Sequence, residues 1–175
     1  KSSNNLLFKP YHILEKDGAR IAFIGLSQSA RSNSIINKNF IEEGNRYISE
    51  LKSSVDIIVM LVNVLDENLI DLSKSFNNAD YIFLSGSTKR TEPRSKQSDS
   101  GALVYGGGIQ GKHLSILDIR IKAPNEAIID VSAPFNRLQE IDYRLNRLQA
   151  KDPSIRLEEL YANQPNVLSL IEKYQ

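Results

Sequence analysis

The sequence contains no cysteine. Disulfides, thiolate metal sites and cysteine nucleophiles are therefore excluded, while the compartment stays open because many exported bacterial proteins also lack it. Histidine is scarce, with only His12 and His113. An excess of charge is lacking too: 22 Lys and Arg face 21 Asp and Glu, for a net charge of +1. With both signs interspersed, no global field draws in a nucleic acid polymer or an anionic membrane. Nor is there a long apolar run. Val55 to Val62, interrupted only by Asp56, is the longest, far short of the roughly 20 residues of a transmembrane helix, and no signal peptide is visible. Lys1 is not an initiator Met, so an upstream portion is expected.

What is present suits a folded domain. The 175 residues are 41% hydrophobic and 25% charged, enough for one domain with its own core. Asp17-Gly18 between Tyr11–Glu15 and Ala19–Gly25 predicts a hairpin over 11–15 and 19–25, because Gly tolerates the positive φ of a tight turn. Ser27 to Asn39 is polar and predicts a loop. From Phe40, the spacing of Ile41, Ile48 and Leu51 behind Glu42-Glu43 predicts a helix with acids at its positive end.

Val55 to Val62 and Tyr81 to Leu84 are short apolar runs, as in strands buried on both faces. Glu67 to Phe76 (Leu69, Leu72, Phe76) predicts a helix between them. Strand–helix alternation with short connections gives parallel βαβ units and an α/β fold. After a charged loop over Thr88–Ser100, Ala102–Tyr105 and the alternating Leu114–Ile121 predict two more strands, with Glu126–Val131 as a candidate partner of the second. Beyond Pro134, Leu138, Ile141, Leu145 and Leu148 form a helical stripe. Ringed by Arg137, Glu140, Asp142, Arg144 and Arg147, it packs on its own domain, docks on a partner or pairs with itself. Asp152-Pro153 ends that helix, and shorter helices follow over Ile155–Tyr161 and from Pro165-Asn166 to Tyr174. The expected division is 1–133 and a helical tail, 134–175.

Four segments resemble the 5′-nucleotidase branch of the metallophosphoesterases. Leu7–Tyr11 with Asp17–Leu26 resembles its “FKPY…NGxKIGxIGL” hairpin. Glu50-Leu51-Lys52 with Val55–Leu61 is similar to “ELK…VDxIIxLSH”, and Ala79–Gly86 to “VDxIIxGHxH”. Val104–Leu114 resembles the “VxxGxxGKxLGxLDL” segment. The resemblance covers about residues 6–121. It implies half of an α/β/β/α sandwich, here with a C-terminal helical extension, and two divalent metals about 3.5–4 Å apart that activate water against a phosphate ester. It also implies a periplasmic, secreted or lipid-anchored setting.

Three histidine ligands are implied for this half, and their positions carry Asn63, Ser87 and Lys89. The other ligands, “DxH”, a bridging Asp and “GNHE”, would precede residue 1. His12 and His113 fall on no ligand position. Asn63 offers a weak carbonyl donor, and Ser87 is a poor neutral ligand. Lys89 is the hard case. Keeping it neutral near pH 7 costs about 4.6 kcal/mol. Left charged about 4 Å from a dication, it is repelled by roughly 2 kcal/mol in water and about 8 at an effective dielectric of 20.

The expectation is therefore a non-catalytic 5′-nucleotidase-like module, without a cofactor, that serves a structural or interaction role. Its partner would be the N-terminal half of the same protein or another chain, which would cover exposed sheet edges. The alternative is a metal-dependent phosphohydrolase of nucleotides or related esters, using a divalent pair held mainly by that other half. Gly86, Ser87, Thr88, Lys89 and Arg90, with Arg94, also form a candidate anion-binding turn, set against a plain solvated loop. Gly106-Gly107-Gly108 lacks the following helix of a dinucleotide loop. Asp56 and Asp80 read as turn or cap residues, and no Ser–His–Asp signature is present.

Overall fold

Strand β1 (Tyr11–Lys16) pairs antiparallel with β2 (Ala19–Ser27), from Tyr11 opposite Ile24 to Lys16 opposite Ala19. Asp17 and Gly18 between them both take positive φ, 51° and 82°, the backbone that a two-residue hairpin turn demands. The computed structural model describes residues 6, 8–28, 38–66, 71–93, 95, 97, 100–121 and 128–174. These form a mixed α/β protein with a five-stranded sheet and five helices. The chain divides into two units, Lys1–Glu92 with Gln97–Asp130 and Pro93–Lys96 with Val131–Gln175.

In the first unit, helix α1 (Phe40–Leu51) opens on Asn39, whose Oδ1 accepts the Ile41 and Glu42 amides at 3.0 and 3.4 Å. That cap and the first-turn acids Glu42 and Glu43 satisfy the free N–H end of the helix. Strand β3 (Ile57–Asn63), helix α2 (Leu72–Ser75), β4 (Tyr81–Ser85) and β5 (Leu103–Gly106) follow. The sheet order is β1-β2-β3-β4-β5, and every pair after the hairpin is parallel. The first four residues of the helix expected over 67–76, Glu67 to Ile70, lie outside the described residues.

Two aspartates set strand register from the N-terminal side. Asp56 Oδ2 accepts the Arg20 amide at 2.7 Å, and Asp80 Oδ2 accepts the Ile58 amide at 2.8 Å. Each carboxylate supplies an acceptor for a neighbouring strand where the ladder has not yet begun.

Because the strands advance in one direction and parallel crossovers share one hand, α1 and α2 fall on the same face. There Tyr47, Ile48 and Leu51 of α1, with Leu72 and Phe76, close over Ala22, Ile24, Ile58, Met60, Val62 and Ile82. The opposite face carries Ile57, Val59, Tyr81 and Leu103, flanked by Ile21, Phe23, Phe83 and Tyr105. From outside the strands, Leu117 and Ile128 are the described residues that pack there. Leu61 on this face is 45% exposed.

Leu114–Ile121 corrects the sequence expectation. Its alternation predicts a strand, yet it is neither helix nor strand, and it pairs with no described residue. A strand exists only through its ladder. Glu126 and Ala127, the start of the expected partner, lie outside the described residues, and Ile128–Asp130 form no strand.

In the second unit, α3 (Ser132–Gln149) begins two residues before Pro134 rather than after it. Proline is tolerated there, since first-turn amides have no partner within a helix. Ile141, Leu145 and Leu148 are half-buried, while Leu138 stays exposed. Helices α4 (Leu157–Leu160) and α5 (Pro165–Tyr174) follow, the former shorter than the 155–161 span expected. Ile171 is fully buried, and the Tyr161 hydroxyl donates to Leu148 O at 3.1 Å. Arg144 links α3 to α5, donating to Glu140 at 2.7 Å and to the Tyr174 hydroxyl at 2.6 Å.

Candidate functional site

Ligands of open α/β sheets sit beyond the carboxyl ends of parallel strands. Here three polar residues line up across that end: Ser27 opposite Asn63, and Asn63 opposite Ser85. Asn63 is therefore placed at the strand end that the sequence assigns it. Its Nδ2 donates to Ser85 Oγ at 3.1 Å. The chain leaves β4 through Gly86, at φ +82°. A Cβ at Gly86 would stand 3.1 Å from Val64 O and 3.2 Å from Asn63 Nδ2, so the turn packs directly on the end of β3.

Beyond Gly86, the Ser87 and Thr88 hydroxyls and the Thr88 amide converge on one carboxylate, Asp66. Ser87 donates to Oδ1, and the Thr88 hydroxyl donates to Oδ2. The Thr88 amide reaches Oδ2 at 2.9 Å, and Ser87 Oγ in turn accepts the Lys89 amide at 3.1 Å. Ser87 is only 5% exposed. The Ser87 hydroxyl, then the Thr88 hydroxyl and amide, hold the Asp66 carboxyl down at about 2, with a smaller contribution from the Lys89 charge.

This carboxylate was not singled out by sequence. Asp66 is 21 residues from Ser87, and nothing local marks it. The available signal was indirect: an acid just past one strand end and a Ser-Thr turn past the next strand end must meet if the strands are parallel neighbours.

The turn is held on its far side by β5. Thr91 N–H donates to Gly106 O at 2.9 Å, and the Gly106 amide donates to Thr91 Oγ1 at 3.0 Å. A Cβ on Gly106 would lie 2.4 Å from Lys89 O. Here a close backbone approach requires glycine. Arg90, bridged to Gly107, pairs with Glu92 and places its Nη1 2.9 Å from His113 Nδ1. Lys89 is exposed. Arg94 lies outside the described residues.

For an anion, the turn's hydroxyl donors and the Thr88 amide are already taken up by Asp66, and Arg90 by Glu92 and His113. For two divalent cations the donor set fits badly. The Asn63 amide nitrogen faces Ser85, the Ser87 proton goes to Asp66, and Lys89 adds a positive charge. Among the described residues, no three His, Asp or Glu side chains gather as a metal cluster. No described helix is long and apolar enough to cross a membrane.

No family model matches the sequence, and no curated protein is found similar to it. Among solved structures the chain is similar to a hypothetical protein from Thermus thermophilus, with a TM-score of 0.47 and 16% identity over 62% of this chain and 42% of that one. It is also similar to a candidate 5′-nucleotidase from Staphylococcus aureus solved with α-ketoglutarate, with a TM-score of 0.45 and 17% identity over 57% of this chain and 24% of that one. The chain thus spans less than half the length of either protein.

Proposed function

We propose that this chain is a non-catalytic, 5′-nucleotidase-like module of metallophosphoesterase type, kept for a structural or protein-interaction role. The observation that carries the proposal is the clasp of Ser87 and Thr88 on Asp66. At a strand end where a phosphohydrolase would hold lone pairs open for metal, these polar groups satisfy one another. Lys89 adds a cation beside them, and a cation and a dication compete for the same carboxylate. Its partner would be another half of the same protein or a separate chain.

The experiment is a metal analysis of the purified protein after incubation with Mn²⁺, Zn²⁺ or Fe²⁺, together with phosphate release from a panel of nucleotides. The expected result is no stoichiometric metal and no release above background. Two ions per chain, with chelator-sensitive turnover, would overturn the proposal and establish a metal-dependent phosphohydrolase instead.

A further inference from the structure

Among the described residues, β5 is the last strand of the sheet, with β4 on one side of it. In a strand, the N–H and C=O of one residue point to the same side, and those of the next residue to the other. The Leu103 amide donates to Asp80 O at 2.9 Å, toward β4. Ala102, Val104 and Gly106 therefore turn their backbone groups to the outer edge. Each is met in both directions by a residue that belongs to no strand. Ser73 of α2 accepts the Ala102 amide on its carbonyl at 3.3 Å, and its hydroxyl donates to Ala102 O at 2.8 Å. Gln97 Oε1 accepts the Val104 amide at 3.2 Å, and its Nε2 donates to Val104 O at 2.9 Å. Thr91 exchanges two hydrogen bonds with Gly106 in the same way.

Gln97 differs from the other two. Ser73 and Thr91 each contribute a backbone group, whereas Gln97 meets Val104 through its side chain alone. A primary carboxamide carries the donor and the acceptor of a peptide group. One side chain thus makes the pair of bonds that a residue of a neighbouring strand would make. Removing it bares the centre of the edge without displacing backbone. An edge with unpaired N–H and C=O groups is a template for another strand. β5 itself reads Leu-Val-Tyr-Gly. With no charged residue, two such edges meeting antiparallel set no like charges opposite one another.

We infer that Gln97 is a strand surrogate that seals the outer edge of β5, and that without it this edge pairs with the same edge of a second copy. The inference does not depend on whether the Asp66 site binds metal.

Hydrogen exchange at the Val104 amide, read on the full chain over a range of protein concentrations beside sedimentation velocity, tests it. In the wild type the exchange is expected to be slow and indifferent to concentration. In Gln97→Ala it should be about tenfold faster in dilute solution, the effect of one lost hydrogen bond. It should slow again as concentration rises and the sedimenting mass grows, because a second copy then covers the edge. Gln97→Glu keeps the acceptor for the Val104 amide and adds a charge that deters an incoming strand. It is expected to stay slow and to associate no more than wild type. Gln97→Asn, too short to span both Val104 groups, supplies the same reading as alanine if circular dichroism shows the alanine variant unfolded. Dilute Gln97→Ala exchanging as slowly as wild type overturns the inference. So does fast exchange at every concentration without association, or a glutamate variant that associates as the alanine variant does.

Discussion

Asp66 Oδ2 lies 2.9 Å from the Thr88 amide nitrogen, and the Thr88 hydroxyl donates to the same oxygen. Two connections that leave neighbouring strands are tied by one side chain. The Asp66 carboxyl is held at about 2, below its ordinary 3.8. A depressed carboxyl favours the folded state at pH values above 3.8, and that contribution is lost as pH falls through about 2. Carboxyl-carbon NMR should therefore show Asp66 titrating near 2. Asp66→Ala should speed hydrogen exchange at the Thr88 amide, while Asp66→Asn, which retains an acceptor, should speed it less. A carboxyl titrating at 3.8 would count against the clasp.

Asp80 behaves in the opposite sense. Burial raises its carboxyl above the ordinary 3.8, while the Ile58 amide and the Lys52 charge pull it partly back. A raised carboxyl stabilises the fold below 3.8, and that contribution disappears as pH rises through the elevated value. The urea midpoint of the wild type should thus fall relative to Asp80→Asn as pH increases above 3.8. Asp80→Ala, which strands the Ile58 amide, should cost about 1–3 kcal/mol at low pH. Parallel pH profiles for wild type and Asp80→Asn would refute the assignment.

Gly44 sits mid-helix because nothing larger fits. A Cβ there would meet Phe76 Cε1 at 2.5 Å and Leu26 Cδ1 at 2.8 Å. Alanine gains roughly 1 kcal/mol in helix propensity, yet overpacking costs about 1–3 kcal/mol. Gly44→Ala should lower the urea midpoint, and adding Phe76→Leu should recover part of the loss. An unchanged or raised midpoint in the single variant would show that the ring yields freely.

Gly106 and Gly107 make a matched pair for the strand-end turn. A Cβ at Gly106 would stand 2.4 Å from Lys89 O, whereas one at Gly107 meets nothing within 4 Å. Gly106→Ala should cost about 1–3 kcal/mol and weaken the Thr91 hydrogen bond to residue 106, visible as faster Thr91 amide exchange. Gly107→Ala should stay within about 0.5 kcal/mol of wild type. Equal effects would mean that the close approach has no energetic consequence.

Much of the sheet was legible because its signals are local. Asp17-Gly18 marks the hairpin, Glu42 and Glu43 mark the start of α1, and the apolar runs mark β3 and β4. Asn63 ends β3 and Ser87 follows β4, but both were singled out as ligand positions only through the family resemblance. What escaped was the pairing of side chains distant in sequence. Asp66 has no periodicity and no motif, and its role exists only once β3 and β4 are adjacent. Leu114–Ile121 failed for the converse reason. Its pattern is that of a strand, but a pattern supplies no ladder. The start of α3 was misjudged because proline breaks helix interiors and is harmless in a first turn.

Strands that stand in the sheet in the order of the sequence also prescribe how the sheet can be assembled. Each parallel strand docks on the one made just before it, so no slot must be held open for a segment still to come. Loop closures stay short for a parallel topology, which favours fast folding among proteins of its class. The same order has a cost during synthesis. Until β5 is laid down, every partial sheet ends in a bare parallel edge, and that growing edge is where misassociation between nascent chains would begin.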